Sequence, residues 1–212
     1  MVPHELSRDG VDFAVWCSYK YLNAGPGAVG ALYVNRRHAG LRPALSGWWG
    51  YDKTRQFDML HDWSGADGAG AWQIGTPPIL ATAPLIGALR MHADAGIERI
   101  RAKSLAQTAY LIELIESTGL SQRDYGYRIG TPLKGVRRGG HVAVEHDAAA
   151  RVARALKARG VVPDFRAPNV VRLAPIPLYT SFVEIWRAVQ VLREVIDAGE
   201  HLVGDDGREL VA

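Results

Sequence analysis

A mixed α/β chain in two parts is what the sequence predicts, and three observations predict it. Short apolar runs rich in β-branched and aromatic residues flank a glycine-rich turn before residue 36. Two consecutive stretches with helical character occupy residues 77–117. From residue 141 onward, strand-like and helix-like segments alternate, which makes that part a small α/β unit.

Each element has its own signal. Asp12 to Ser18 is short, apolar and aromatic, so it reads as a buried strand, and Lys20 falls at its end before the turn Gly25-Pro26-Gly27. Ala28 to Asn35 reads as a second strand. The next forty residues are rich in Gly, Trp and Asp without periodicity. Trp48, Trp49, Trp63 and Trp72 lie in that stretch, four of the six tryptophans, which argues for an ordered irregular region. Pro77 to Ala95 reads as a helix opened by prolines, with Thr76 as a candidate N-cap. Ile97 to Ser117 keeps Ile100, Ser104, Leu105, Thr108, Leu111, Ile112 and Ile115 on one face, and Gly119 closes it. Tyr125 to Gly130 is a candidate strand within a polar stretch. His141 to Glu145 alternates as a half-buried strand, Asp147 is placed to cap a helix through Arg159, and Gly160 ends it. Val161 to Phe165 and Val170 to Leu173 read as strands. Ser181 and Glu184 have capping-box spacing and open a last helix to about Ala198. The domain reading is 1–76, 77–118 as linking helices, and 119–212 as the small α/β domain.

Composition excludes several classes. With 212 residues, 48% hydrophobic and 22% charged, the chain has the makeup of a globular protein and not of a disordered one. The longest apolar run, Pro77 to Leu89, is interrupted and too short to span a bilayer, and the N-terminus lacks the apolar core of a signal peptide. The expected setting is therefore cytoplasmic, away from membranes. The formal charge of +3 comes from dispersed basic residues, with pairs at Arg36-Arg37 and Arg137-Arg138 but no stripe, so nucleic acid is not an expected partner. Cys17 is the sole cysteine, which excludes intrachain disulfides and cysteine zinc sites, and it reads as a small buried strand residue. His141 and His146 lack metal-ligand partners and read as ordinary surface residues, so no metal is expected.

Lys20 carries the chemistry. On local pattern alone it is either a solvated surface charge or an amine whose partial burial would favour the neutral, nucleophilic form, of the kind that forms Schiff bases with carbonyl compounds. The segment Ser18-Tyr-Lys-Tyr-Leu-Asn-Ala-Gly-Pro-Gly27 resembles the cofactor-lysine segment of pyridoxal-phosphate enzymes of the aspartate aminotransferase fold, and most closely that of the kynureninases. Further stretches follow in order: Ser46-Gly-Trp-Trp-Gly-Tyr-Asp-Lys-Thr-Arg55, Gln73-Ile-Gly-Thr-Pro-Pro-Ile-Leu80, Ala102-Lys-Ser-Leu105 with Tyr110-Leu111, and Val171-Arg-Leu-Ala-Pro-Ile-Pro-Leu-Tyr-Thr-Ser-Phe182.

The resemblance implies a fold-type I architecture, with this chain holding the end of the large cofactor domain and the small C-terminal domain. It implies pyridoxal phosphate as cofactor and hydrolysis of L-kynurenine, or its 3-hydroxy form, to anthranilate or 3-hydroxyanthranilate and L-alanine, in tryptophan catabolism. By position, Lys20 is the cofactor lysine and proton shuttle, Tyr19 a phosphate ligand and proton donor, and Arg172 the ligand of the substrate α-carboxylate. Trp48 and Thr76 match phosphate-site positions that the family contributes from the neighbouring subunit, so a homodimer with a shared site is implied. Family members are about twice this length, and the phosphate-cradling turn, the ring-stacking aromatic and the aspartate on the pyridine nitrogen would lie outside this chain, so no useful turnover is expected from it alone. Alternatives are another enzyme of the fold, a cysteine desulfurase or an aminotransferase, and a non-catalytic half that needs a partner.

Overall fold

The structure is a computed structural model that describes residues 1–205; residues 206–212, the end of the span 119–212, lie outside the described residues. The chain divides into two compact units, residues 3–96 and residues 97 onward together with Met1–Val2.

In the first unit, β1 (Phe13–Cys17) pairs antiparallel with β2 (Gly30–Val34), Phe13 opposite Val34 and Cys17 opposite Gly30. The sequence reads β1 as buried, and the structure corrects this: Phe13, Val15 and Trp16 are exposed and Cys17 is half-buried. The reason is that the sheet has only these two strands among the described residues, so β-branched and aromatic side chains that suit a covered sheet have only partial cover here, the Phe13 ring lying against His38 and Trp72. The irregular stretch is ordered by short 3₁₀ turns, at Arg36–His38, Trp48–Gly50 and Gly68–Trp72. A bridge between Tyr51 and Gly65 closes its middle, flanked by Asp52 N–H to Ser64 O at 2.8 Å and Ala66 N–H to Gly50 O at 2.8 Å. Helix α1 (Ile79–Ala95) follows, with Pro78 at its N-cap and no side-chain cap, so Thr76 does not cap it.

The second unit opens with α2 (Ile97–Ser117), whose buried face carries Ile100, Ser104, Thr108, Leu111, Ile112 and Ile115 as its period requires. Four antiparallel strands lie in the order β3 (Arg128–Ile129), β4 (Val142–Glu145), β6 (Val170–Leu173), β5 (Asp164–Arg166). Alternation fixes their faces: Val142 and Val144 of β4, and Val171 and Leu173 of β6, point into the core. Helices α3 (Ala149–Ala158) and α4 (Phe182–Asp197) supply Val152, Leu156, Ile185, Val189, Leu192 and Val195 to the same cluster. Burial of each such side chain contributes about 1.5–3 kcal/mol.

Two local readings change here. Asp147 does not cap α3; its carboxylate lies 2.9 Å from Arg128 Nη2, and His146 Nδ1 instead accepts the Ala148 N–H at 2.9 Å. His146 is buried and His141 half-buried, because alternation in β4 continues past its ends and the His146 ring packs on Tyr127 at 5.0 Å between centroids. Strand β5 begins at Asp164, three residues later than the apolar run suggests. Ser181 and Glu184 form the reciprocal capping box of α4. Among the described residues no helix is long and apolar enough to cross a membrane, and no His, Cys, Asp and Glu side chains group as a metal site.

Candidate functional site

The lysine turn is built from backbone closures at the end of β1. Ser18 is fully buried and its Oγ donates to Val29 O at 2.5 Å, which pins the end of β1 to the start of β2. Ala24 N–H donates to Ser18 O and Asn23 N–H to Lys20 O, each at 3.0 Å. Asn23 has φ +61° and Gly25 φ +86°, so the chain reverses through left-handed positions, one of which glycine fills without steric cost. Lys20 is left at the bend with its side chain exposed, its Nζ 5.3 Å from the centroid of the Tyr19 ring. Lys20 is therefore exposed in this chain and not half-buried.

Two residues not singled out from the sequence hold this region. His92 on α1 sits with Nε2 3.1 Å from Tyr21 O and Nδ1 2.9 Å from Ala88 O, clamping the turn to the helix. Gln56 is buried and its Nε2 donates to Trp48 O at 2.9 Å. No periodicity marks either residue: His92 reaches a carbonyl seventy-one residues away, and Gln56 lies in an irregular stretch and acts on a carbonyl eight residues before it.

Trp48 begins the 3₁₀ turn, exposed, with its ring edge-on to Phe57 at 5.5 Å between centroids. Lys53 donates to Trp49 O and holds its ammonium 4.3 Å from the Trp49 ring centroid. The turn approaches the 71–76 stretch closely: a Cβ on Gly47 would lie 2.2 Å from Ile74 O, and one on Gly50 2.4 Å from Ala71 O. This contact brings the Trp48 segment beside the one ending in Thr76, itself exposed. Among the described residues neither Trp48 nor Thr76 hydrogen-bonds to Lys20 or Tyr19.

Arg172 lies in the second unit, on β6 between β4 and β5. Strand register puts it directly opposite Asp164, and its Nη2 donates to that carboxylate. Arg166 Nε donates to the same Asp164 oxygen at 2.9 Å, so one carboxylate holds two guanidinium groups. A sequence signal for Asp164 exists: it precedes Arg172 by eight residues across the turn at Ala167-Pro168-Asn169, which suits a paired register. His141 lies within electrostatic reach; burial first, then Arg172, hold its imidazole below the ordinary value, and Asp164 opposes them. The strand leads into Pro175–Thr180, tied to α2 by Lys103 Nζ to Pro177 O at 2.6 Å and Gln107 Nε2 to Thr180 O at 2.7 Å.

Known proteins extend this picture. Residues 100–192 match the kynureninase C-terminal domain. The kynureninase of Bacillus thuringiensis subsp. konkukian is 53% identical over 211 residues, covering 100% of this chain and 49% of the relative, and that of Geobacillus thermodenitrificans is 52% identical with the same coverage. Among solved structures, the cystine C-S lyase C-DES aligns at TM-score 0.71 and 20% identity, over 90% of this chain and 48% of its own. An alanine–glyoxylate aminotransferase from Nostoc sp. aligns at TM-score 0.62 and 19% identity, over 92% of this chain and 50% of its own. These likenesses show the fold, that of the fold-type I enzymes, in its C-terminal part. The chain is thus similar to kynureninases along its whole length, with the match to their C-terminal domain confined to residues 100–192, and it spans about half the length of the curated relatives it matches.

Proposed function

We propose that this chain contributes the lysine turn and the carboxylate-binding arginine to a kynureninase-type hydrolase, which cleaves L-kynurenine or its 3-hydroxy form with water to the anthranilate and L-alanine. The observation that carries the reading is the 53% identity along the chain, which includes the lysine turn described above. The exposed donors fit a phosphorylated aldehyde: an amine at Lys20, a phenol at Tyr19, an indole N–H at Trp48 and a hydroxyl at Thr76. Pyridoxal phosphate, when bound, supplies an electron sink for the substrate α-carbon.

The chain's own groups then have distinct tasks. Lys20 would hold the cofactor through its Nζ and move a proton at that atom. The Tyr19 hydroxyl would donate to phosphate and deliver a proton. Trp48 and Thr76 would donate to phosphate across the interface of a cytoplasmic homodimer. Arg172 receives the substrate α-carboxylate through a planar fork.

Incubation of the chain with pyridoxal phosphate, borohydride reduction and peptide mass mapping tests the assignment. The expected adduct is on Lys20 and is absent in Lys20→Ala. Labelling spread evenly over the other lysines would refute it.

A further inference from the structure

The buried face of α2 carries an electrostatic feature that the proposed chemistry leaves unused. Arg101, Ser104 and Thr108 lie on one face, at i, i+3 and i+7. The stretch Leu133–Gly140 closes over them. Arg138 is only 7% exposed, with Nε donating to Thr108 Oγ1 at 2.9 Å and Nη1 to Leu133 O at 2.7 Å. Arg101 Nη2 donates to Gly135 O at 2.9 Å in the same stretch.

Neither guanidinium is paired with a carboxylate among the described residues. Arg101 Nη1 and the Oγ of Ser104, a residue with no exposed surface, are buried without a hydrogen-bond partner. Burial and the like charge of Arg101 hold Arg138 below the ordinary guanidinium value. Removing a cation from water without a counter-charge is costly, and unpartnered buried donors are rare in folded proteins. Here two cations are fixed by neutral acceptors, the Met1 ammonium lies within electrostatic reach of Arg101, and the donors left over, Arg101 Nη1 and Ser104 Oγ, are ones an oxygen pair would satisfy.

We propose that the α2 face of Arg101 and Ser104, with Arg138 above it, is a binding site for an oxyanion, a carboxylate or phosphate group received by the two guanidiniums and the Ser104 hydroxyl. The anion is either free in solution or a carboxylate carried on polypeptide. This site uses none of Lys20, Tyr19, Trp48, Thr76 and Arg172, so it stands or falls independently of the kynureninase reading.

Thermal unfolding of the full chain tests it in two arms, each run against a chloride control at matched ionic strength. One arm titrates inorganic phosphate or acetate. The other supplies in trans the part of the Bacillus thuringiensis relative that this chain does not span. The expected result is a saturable stabilisation whose apparent affinity falls about tenfold in Arg138→Gln, the scale of one lost hydrogen bond to a charged group. Ser104→Ala, which keeps the volume and is expected to fold normally in chloride, weakens the same response. Dependence on Arg138 or Ser104 in the first arm identifies a free oxyanion, and in the second arm alone a side-chain carboxylate. A response that is absent in both arms, or unchanged in both variants, overturns the site.

Discussion

Arg172 meets Asp164 across two strands, and His141 senses both. The ion pair is about one-third exposed, so its contribution to stability is on the order of 0–1 kcal/mol. Its importance is geometric: a carboxylate that already holds Arg166 fixes where the Arg172 fork points. His141 reports on this arrangement, since Arg172 lowers its value and Asp164 raises it. Asp164→Asn is therefore expected to move the His141 titration to lower pH and Arg172→Gln to higher pH, read by imidazole NMR of the folded chain. Equal or inverted shifts would mean that the pair does not set the field at β6. Arg172 was legible in the sequence through the segment Val171 to Phe182 that carries it, whereas its partner emerged only when strand register set Asp164 opposite it.

Close backbone approach decides the Trp48 element, and a local cap decides α4. Gly47→Ala would put a methyl group 2.2 Å from Ile74 O and 2.7 Å from Ile74 Cα, where no flexible side chain can move aside. The 3₁₀ turn Trp48–Gly50 must then shift, and tryptophan fluorescence of the first unit is expected to change even where the second unit keeps its stability. By contrast, Ser181→Ala removes one side of the α4 capping box and is expected to cost about 0.5–2 kcal/mol in the unfolding of the second unit. An unchanged midpoint in Ser181→Ala, or unchanged fluorescence in Gly47→Ala, would contradict these accounts. The capping box was readable because both partners lie three residues apart. The glycine requirement was not, because Ile74 is twenty-seven residues away from Gly47 along the chain.

Acid stability of the second unit is expected to fall in two pH windows. Burial holds His141 and His146 below 6.5 in the folded unit, and His201 lowers His146 further. As pH drops through 6.5 the unfolded chain binds protons that the folded unit resists, so stability declines toward the folded values of these two groups and that loss is complete below them. Asp147, Glu184 and Glu200 are held below their ordinary carboxylate values by Arg128, the Ser181 backbone N–H and Arg159 respectively. Their contribution is present above 3.8 for Asp147 and 4.5 for the glutamates, and is lost as pH falls past those values. Melting temperature measured against pH checks both windows. A double variant, His141→Asn with His146→Asn, is expected to flatten the upper window and leave the lower one. The amide oxygen introduced in place of His146 Nδ1 can still accept the Ala148 N–H, so the turn before α3 keeps its closure. Persistence of the upper window in that variant would assign it to other groups.

By itself the sequence determined the local parts of this protein: α2 with its buried face, β6, the Ser181 cap and the lysine turn, and through ordered segments from Lys20 to Arg172 the kinship now supported by 53% identity. These depend on residues a few positions apart, so periodicity and capping spacing reveal them. Tertiary structure alone decided the exposure of β1, the burial of His146, the Arg128–Asp147 pairing and the clamps of Gln56 and His92. Those depend on which distant segments cover a strand or reach a carbonyl, and no local pattern encodes that.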